Sequence, residues 1–230
     1  MNATRLLAVL CALAAWGGAA PARADENRAA AAREALERSR RIASLLAQVA
    51  ERYRRLPAFR VRFVQQFESG VFGADERETG TIHVQRPRRM LWLYDRPAGR
   101  RGVFDGASWW LLDPEERQVT RHDPAGDDLV IELLTGRLEP GQAFAIESAG
   151  EEEGAGGLRR VRLVPRQPRD DLDAVIVAID PETLDLREID VIDPLGSRWV
   201  YRFGPVEPAA PLPESAFHVT IPPGWTVVRM

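Results

Sequence analysis

The chain has 230 residues, which is enough for one domain with a substantial core, and its formal net charge is −3. The slight acidic excess argues against a nucleic acid or an anionic membrane surface as partner. The single cysteine, Cys11, lies in a segment that we expect to be removed, so disulfides and thiol chemistry are not expected of the mature protein.

The first 24 residues have the pattern of a secretory signal peptide. Arg5 supplies the positive start, residues 6–15 form a short apolar run, and Ala22-Arg23-Ala24 is a cleavage motif. The apolar run is too short to span a bilayer, which takes about 20 residues. We therefore expect residues 1–24 to be cleaved and residues 25–230 to form a single, monomeric domain in the periplasm. The alternative is an uncleaved anchor.

A long helix is predicted next, from Asp25 to Arg55, and Pro57 ends it. Its apolar residues recur at spacings of three and four: Leu36, Ile42, Leu45, Leu46, Val49 and Tyr53. Residues 59–67 then alternate as a half-buried strand does, with one face formed by Phe59, Val61, Phe63, Gln65 and Phe67.

Short alternating segments from Gly80 to Thr120 predict an antiparallel meander, in which Asp105-Gly106 is a hairpin turn. A second helix is predicted over 127–135, because Gly136 can end it and four apolar residues lie within it: Leu129, Val130, Leu133 and Leu134. Further strands are predicted at Leu158–Val164, Ala174–Ile179, Leu186–Ile192 and Arg198–Phe203.

Two segments between these elements are predicted as loops, the acidic stretch 151–157 and the proline-rich stretch 207–213. The whole pattern indicates a mainly β protein with a few helices. We expect one long, curved antiparallel sheet, of which the helices cover one face.

No constellation of catalytic residues stands out. His83, His122 and His218 are scattered, so no metal site is expected, and Gly106-Ala107-Ser108 lacks the context of a nucleophile elbow. Carboxylates are numerous, but nothing singles out a pair for glycoside chemistry. We therefore expect neither an enzyme nor a bound cofactor.

Apolar residues are in surplus on the predicted sheet, and two interpretations are open. They can simply form the core, which periodicity alone favours, or they can line a partly filled cavity for an apolar ligand. The candidate cavity residues are Phe59, Phe63, Phe67, Ile82, Val84, Met90, Trp92 and Trp110.

Arg86 is the charged residue on an otherwise apolar strand face, which it shares with Ile82 and Val84. A guanidinium in such a place is costly unless its five donors find acceptors. The acceptors can be loop carbonyls beside Pro87, in a structural role, or carbonyls of a movable helix, in a functional one.

The order of these motifs resembles the outer-membrane lipoprotein carrier proteins of the bacterial periplasm, the LolA family. The matching residues are Phe59, Phe63, Gln65, Gly80, Arg86-Pro87, Trp92, Pro97, Asp105-Gly106, Trp110, Gln118-Val119-Thr120, Phe217 and Pro222-Pro223-Gly224. Met90 departs from the family, which usually has an aromatic residue there, and the Pro-Phe that usually opens the lid helix near Leu129 is missing.

The resemblance implies an incomplete β-barrel whose mouth is closed by a helical lid, here containing Leu129, Val130, Leu133 and Leu134. The barrel interior would hold the acyl chains of lipoproteins on their way from the inner to the outer membrane. Arg86 would be the latch that hydrogen-bonds lid carbonyls and releases them when cargo enters. An inner-membrane lipoprotein-releasing ABC transporter and an outer-membrane lipoprotein receptor are the implied partners.

Two other functions use the same kind of fold. One is a periplasmic sensor or regulatory module that binds lipid-like signals, which generally carries a second domain. The other is a paralogue that carries a different envelope lipid. The identity of the co-purifying lipid would distinguish them from a lipoprotein carrier.

Overall fold

The structure is a computed structural model that describes residues 20–69, 76–122, 129–137, 143–147, 152–153 and 155–229. These residues fall into two compact units, which divide between Glu37 and Arg38. Helix α1 (Ala20–Arg55) begins in the smaller unit and ends in the larger one. The predicted helix from Asp25 to Arg55 lies entirely within α1, whose first residue, Ala20, is also the first residue that the structure describes.

The described part of the larger unit contains fourteen strands. In chain order they are β1 (Ala58–Glu68), β2 (Glu76–Gln85), β3 (Arg89–Arg96), β4 (Arg101–Phe104), β5 (Trp109–Asp113), β6 (Gln118–His122), β7 (Phe144–Ile146), β8 (Glu152–Glu153), β9 (Arg159–Pro165), β10 (Ala174–Ile179), β11 (Leu186–Ile192), β12 (Arg198–Phe203), β13 (Glu207–Pro208) and β14 (Thr226–Arg229). Helix α2 (Leu129–Leu134) lies between β6 and β7 in the chain.

All fourteen strands belong to one sheet, in the order β14-β6-β5-β4-β3-β2-β1-β12-β11-β10-β9-β7, with β13 paired to β1 and β8 to β9. The sheet is open, because β14 and β7 are its two ends. Every pair is antiparallel except β14 with β6, which is parallel. The predicted fold class, a mainly β protein built on a curved incomplete barrel, is confirmed.

The two predicted loops are only partly loops. Within the acidic stretch, β8 pairs with β9 and residues 155–157 form a 3₁₀ turn. Within the proline-rich stretch, β13 pairs with Phe59 and Arg60 of β1, and Arg60 forms an ion pair with Glu207 at 2.7 Å. Backbone pairing decides both segments, with the neighbouring strand β9 in the first case and with the distant strand β1 in the second.

The two faces of the sheet differ as the alternation predicts. On β1, Phe59, Val61 and Phe63 are buried, whereas Arg60 and Arg62 are exposed. Buried side chains from each of β1 to β4, among them Phe63, Ile82, Met90 and Phe104, share one core cluster with side chains of β9 to β12. Strands at opposite ends of the sheet therefore face a common interior, and this side is the concave face.

The C-terminal part of α1 packs into this interior. Ile42, Leu46, Val49 and Tyr53 are buried at the helical spacing that the sequence predicts. The end of the helix is also anchored by polar groups, since the buried Tyr53 hydroxyl accepts the backbone N–H of Leu186 at 3.1 Å. By contrast, Leu36, earlier on the predicted apolar face, is exposed.

A glycine allows the central strands to approach each other. The register between β2 and β3 shifts at Gly80, as in a β-bulge. A side-chain carbon at this position would overlap the carbonyl oxygen of Leu93 and would come within 2.8 Å of the Phe63 ring. Only glycine therefore fits between Leu93 and Phe63.

We expect Gly80→Ala to lower the free energy of unfolding by about 1–3 kcal/mol, the usual cost of overpacking a core. Urea unfolding would measure it. Gly204→Ala is the matched control, because its new methyl group would only reach ordinary contact distance, 3.4 Å from Cβ of Arg62. Equal stability of the two variants would show that the bulge tolerates a side chain.

Candidate functional site

The concave face brings most of the predicted site residues together. Six of the eight candidate cavity residues are buried in the main core cluster: Phe59, Phe63, Ile82, Val84, Met90 and Trp92. The four predicted residues of the second helix, Leu129, Val130, Leu133 and Leu134, are buried in the same cluster, and so is Ile131. Helix α2 thus covers apolar side chains of the sheet.

Two predicted cavity residues lie elsewhere. Trp110 packs with Leu91, Val103 and Phe217 in a second cluster on the other face of the sheet, so its assignment to the interior is wrong. Its neighbour Trp109 contacts the main cluster instead. The pairing of β4 with β5 explains this, because cross-strand partners share a face and Trp110 is paired with Val103.

Phe67 is the other exception. It is only half buried and lies at the end of β1, where its ring contacts that of Trp199 with 4.8 Å between centroids. It therefore lies outside the main core cluster.

Helix α2 ends in a Schellman motif. The backbone N–H of Arg137 bonds to the carbonyl of Glu132 at 2.8 Å, and that of Gly136 bonds to the carbonyl of Leu133 at 3.0 Å. Gly136 has a φ of +67°, the left-handed conformation that the motif requires. The chain turns sharply here, which leaves the carbonyls of Thr135 and Gly136 for other donors.

Arg86 donates to the ends of both helices. Its Nη2 bonds to the carbonyl of Tyr53 in the last turn of α1 at 2.7 Å and to the carbonyl of Thr135, just after α2, at 3.0 Å. These are helix-terminal carbonyls and not loop carbonyls beside Pro87. A cation is favourable there, because the C-terminal end of a helix carries partial negative charge. Burial lowers the pKa of the Arg86 guanidinium, and the charges of Arg54 and Arg137 add to the effect.

Two more arginines hold α2, and together with Arg86 they form what we call the arginine clamp (Arg54, Arg86 and Arg88). Arg54 donates from Nη1 to the carbonyl of Gly136 at 3.2 Å. Arg88 forms an ion pair with Glu132 at 3.2 Å and lies over the Phe104 ring. Sequence reasoning missed Arg54 and Arg88, because their partners lie far away in the chain.

Beside α2 the interior is not completely filled. A cavity of about 310 Å³ remains, lined by Gln65, Glu78, Trp92, Tyr94, Arg100, Trp109, Leu111, Val130, Ile131 and Tyr201. This is at the low end of the range of about 300–1,000 Å³ for ligand pockets. Only Trp92 and Val130 of its residues were among the candidates. The strand alternation could have indicated Gln65, which shares the face of Phe63, and Tyr94, which shares that of Trp92.

One side of the cavity carries a network of charges. The Arg100 guanidinium contacts the Glu78 carboxylate, and its Nη2 lies 2.6 Å from Oδ2 of Asp113. The side chains of all three are at most 22% exposed. Burial opposes ionisation of Asp113, but the backbone N–H of Glu116 and the Arg100 guanidinium hold the pKa of that carboxyl below its ordinary value.

The other side of the cavity is aromatic and apolar. Trp92 lies at its centre, with ring centroids 4.9 Å from Phe63, 5.7 Å from Trp109 and 6.1 Å from Tyr201. All three contacts join rings from different strands, so the cluster ties β1, β3, β5 and β12 together. The cavity therefore has an apolar surface with hydrogen-bonding groups at its margin. Such an arrangement is suited to binding a ligand.

Other kinds of site are not found in the part of the chain that the structure describes. No group of three histidine, cysteine, aspartate or glutamate residues is placed to hold a metal ion there. None of the described helices combines the length and apolar character that a membrane-spanning segment requires.

Comparison with known proteins identifies the family. Residues 54–220 match the family described as "Outer membrane lipoprotein carrier protein LolA". The chain belongs to the LolA family. An outer-membrane lipoprotein carrier protein of Dechloromonas aromatica is 30% identical over 155 residues, which cover 66% of this chain and 72% of that protein. One from Methylibium petroleiphilum is 29% identical over 173 residues, with 74% and 81% covered.

Among solved structures, a LolA superfamily protein from Nitrosomonas europaea is similar, with a TM-score of 0.42 and 11% identity over 77% of this chain and 96% of that one. Membership confirms the resemblance found in the sequence. LolA proteins form a non-catalytic family of lipid-binding chaperones in lipoprotein transport, and their role is periplasmic.

We expect Gly136→Ala to loosen α2, because a side-chain carbon there would overlap the Ala50 carbonyl oxygen of α1. Amide hydrogen exchange of residues 129–137 should speed up more than tenfold, since about 1.4 kcal/mol of lost stability gives a factor of ten. Gly196→Ala is the control, because Gly196 also has a positive φ, +82°, but has open space beside it. Equal exchange of residues 129–137 in both variants would contradict a contact effect.

Proposed function

We propose that this protein is a periplasmic carrier that binds the acyl chains of lipoproteins on the concave face of its sheet and shuttles them from the inner to the outer membrane. The arginine clamp is the observation that supports this most. Five of the six residues of α2 are buried and apolar, yet three arginine side chains also hold it: Arg54 and Arg86 donate to carbonyls just after its end, and Arg88 pairs with the carboxylate of Glu132.

The physical need for such a carrier is large. Burial of an acyl chain contributes about 0.8 kcal/mol per methylene group, so a multiply acylated protein does not cross water unaided. A cavity of about 310 Å³ is small for several chains. We therefore propose that α2 moves away from the sheet to admit cargo, and that the core residues Phe63, Met90 and Trp92 then contact the acyl chains.

In this mechanism Arg86 is the latch. Its bonds to the carbonyls of Tyr53 and Thr135 hold the two helix ends together while the interior is closed. When the helices separate, water can replace the guanidinium at both carbonyls, so opening costs only the net worth of the bonds. A hydrogen bond to a charged group contributes about 1.5–3 kcal/mol, which suits a switch that cargo must be able to open.

The proposed partners follow from the route. The cargo is an acylated lipoprotein, the donor is an inner-membrane lipoprotein-releasing ABC transporter, and the acceptor is an outer-membrane lipoprotein receptor. Curated relatives named outer-membrane lipoprotein carrier proteins support this assignment in general terms.

Export to the periplasm is proposed to use the signal peptide over residues 1–24. We expect the protein recovered from the periplasmic fraction to start at Asp25, because Ala22-Arg23-Ala24 is the cleavage motif. N-terminal sequencing would measure this. Recovery from the membrane fraction with Met1 intact would show an uncleaved anchor instead.

Arg86→Leu tests the latch. Leucine suits the apolar face and leaves no buried charge, so we expect the variant to fold. The loss of about 1.5–3 kcal/mol should favour the open form by about ten- to a hundredfold. Cargo should be accepted but held, because closure of α2 no longer helps to expel it. The measurement is transfer of a labelled lipoprotein from loaded carrier to acceptor vesicles that contain the receptor.

Arg62→Leu is the matched control. Arg62 lies on the central strand β1, but its side chain is exposed and pairs with Asp95 at 3.0 Å. This variant should transfer cargo at the rate of the unchanged protein. A stable Arg86→Leu protein that transfers equally fast would show that Arg86 has a structural role only.

A further inference from the structure

The cavity beside α2 is more polar than a site for bare hydrocarbon needs to be. Trp109, Leu111, Val130 and Ile131 provide apolar walls, but Gln65, Glu78, Tyr94, Arg100 and Tyr201 line the same space. Charged groups in such a place are costly unless they are paired. Their presence therefore calls for an explanation beyond the burial of acyl chains.

A charge network of three residues lies at the margin of this cavity. Arg100 contributes one positive charge, and it is held between two carboxylates, Glu78 and Asp113. Both carboxylates are less exposed than the arginine, at 15% and 13% of their side chains. This charge network of three residues thus leaves an excess of one negative charge, which repels anions and is compatible with neutral or donor-rich groups.

Trp92 provides a second, independent observation. Its indole lines the cavity and is 96% buried, and its Nε1 has no hydrogen-bond acceptor among the described residues. A buried donor of this kind is expected to have a partner, and in a binding site the ligand can supply it. The indole N–H donates only, so the ligand atom must be an acceptor.

We propose that this cavity holds the neutral polar linkage of an acylated ligand, an ester or amide carbonyl that accepts a hydrogen bond from Nε1 of Trp92. The acidic excess of the network formed by Glu78, Arg100 and Asp113 selects against anionic lipids and free fatty acids. This inference rests on the proposed carrier function and adds the part of the lipid that is recognised. The acyl chain extends from the linkage under α2.

The test compares three lipids with the same acyl chain length: a monoacylglycerol ester, the corresponding monoalkylglycerol ether, and the free fatty acid at pH 8. They share the chain but differ in the carbonyl and in charge. We expect the unchanged protein to bind the ester most tightly and the fatty acid most weakly, by calorimetric titration below the aggregation concentration of each lipid.

Trp92→Phe removes the N–H and retains an aromatic ring. The loss of one hydrogen bond should weaken ester binding by about two- to tenfold and should leave ether binding unchanged. Glu78→Gln removes the excess negative charge, so fatty acid binding should strengthen by about tenfold while ester binding stays the same. Trp110→Phe is the control, because Trp110 lies on the other face of the sheet, and it should alter none of the three.

These measurements test the linkage site separately from the carrier function. Equal weakening of ester and ether by Trp92→Phe, or no weakening, would overturn the role of the N–H. If Trp92→Phe fails to fold, the binding of the fatty acid tests the proposal instead. The linkage site would be overturned if the unchanged protein bound the fatty acid as tightly as the ester, or if Glu78→Gln did not change fatty acid binding. Equal binding of all three lipids would leave the carrier function intact, whereas binding of none would overturn the carrier proposal itself.

Discussion

The carbonyl groups at the ends of two helices are the constraint on which the closed interior depends. An α-helix leaves its last carbonyls without partners. Here the ends of α1 and α2 lie close together, next to the end of β2. One guanidinium nitrogen of Arg86 bonds to both ends. Because Arg86 follows β2 directly, the same side chain joins the sheet to the two helices that fill it. The sheet and both helices therefore meet at one residue.

The two helices are held in different ways. The end of α1 is anchored to the sheet, since the buried Tyr53 hydroxyl accepts from Leu186 and Arg52 forms an ion pair with the buried Asp185 at 2.6 Å. The six-residue α2 is too short to be stable alone and depends on its apolar contacts and on the arginine clamp. An apolar ligand can replace those contacts, and water can replace the arginines. The proposed opening would therefore exchange the contacts of α2 for others and would not simply lose them.

The interior also combines two kinds of surface that the proposed carrier function would need. Aromatic rings around Trp92 give area for burial, and the charge network on Arg100 gives an electrostatic preference. Affinity from the apolar part grows with chain length and distinguishes poorly between lipids. Selection between head groups therefore has to come from the few polar groups, and these lie together on one side of the cavity.

The local periodicity of the sequence was enough to predict several elements of this protein. Strands β10, β11 and β12 have the predicted bounds, because alternation over six or seven residues is a property of the segment itself. The same alternation places Arg86 with Ile82 and Val84, and the apolar run ended by Gly136 predicted α2. The order of the sequence motifs was enough to recognise the family. The sequence also showed that Arg86 needs acceptors, because its guanidinium has five donors and lies on an apolar strand face.

Only the tertiary structure decided which groups meet. The acceptors of Arg86 come from Tyr53 and Thr135, on two separate helices, and the charge network joins residues from β2, from β5 and from just before β4. Trp109 rather than Trp110 faces the interior, because the pairing across the β4–β5 hairpin sets the parity of the strand. Periodicity tells which residues share a face. It does not tell which residues contact that face, because strand register and helix docking depend on contacts between distant parts of the chain.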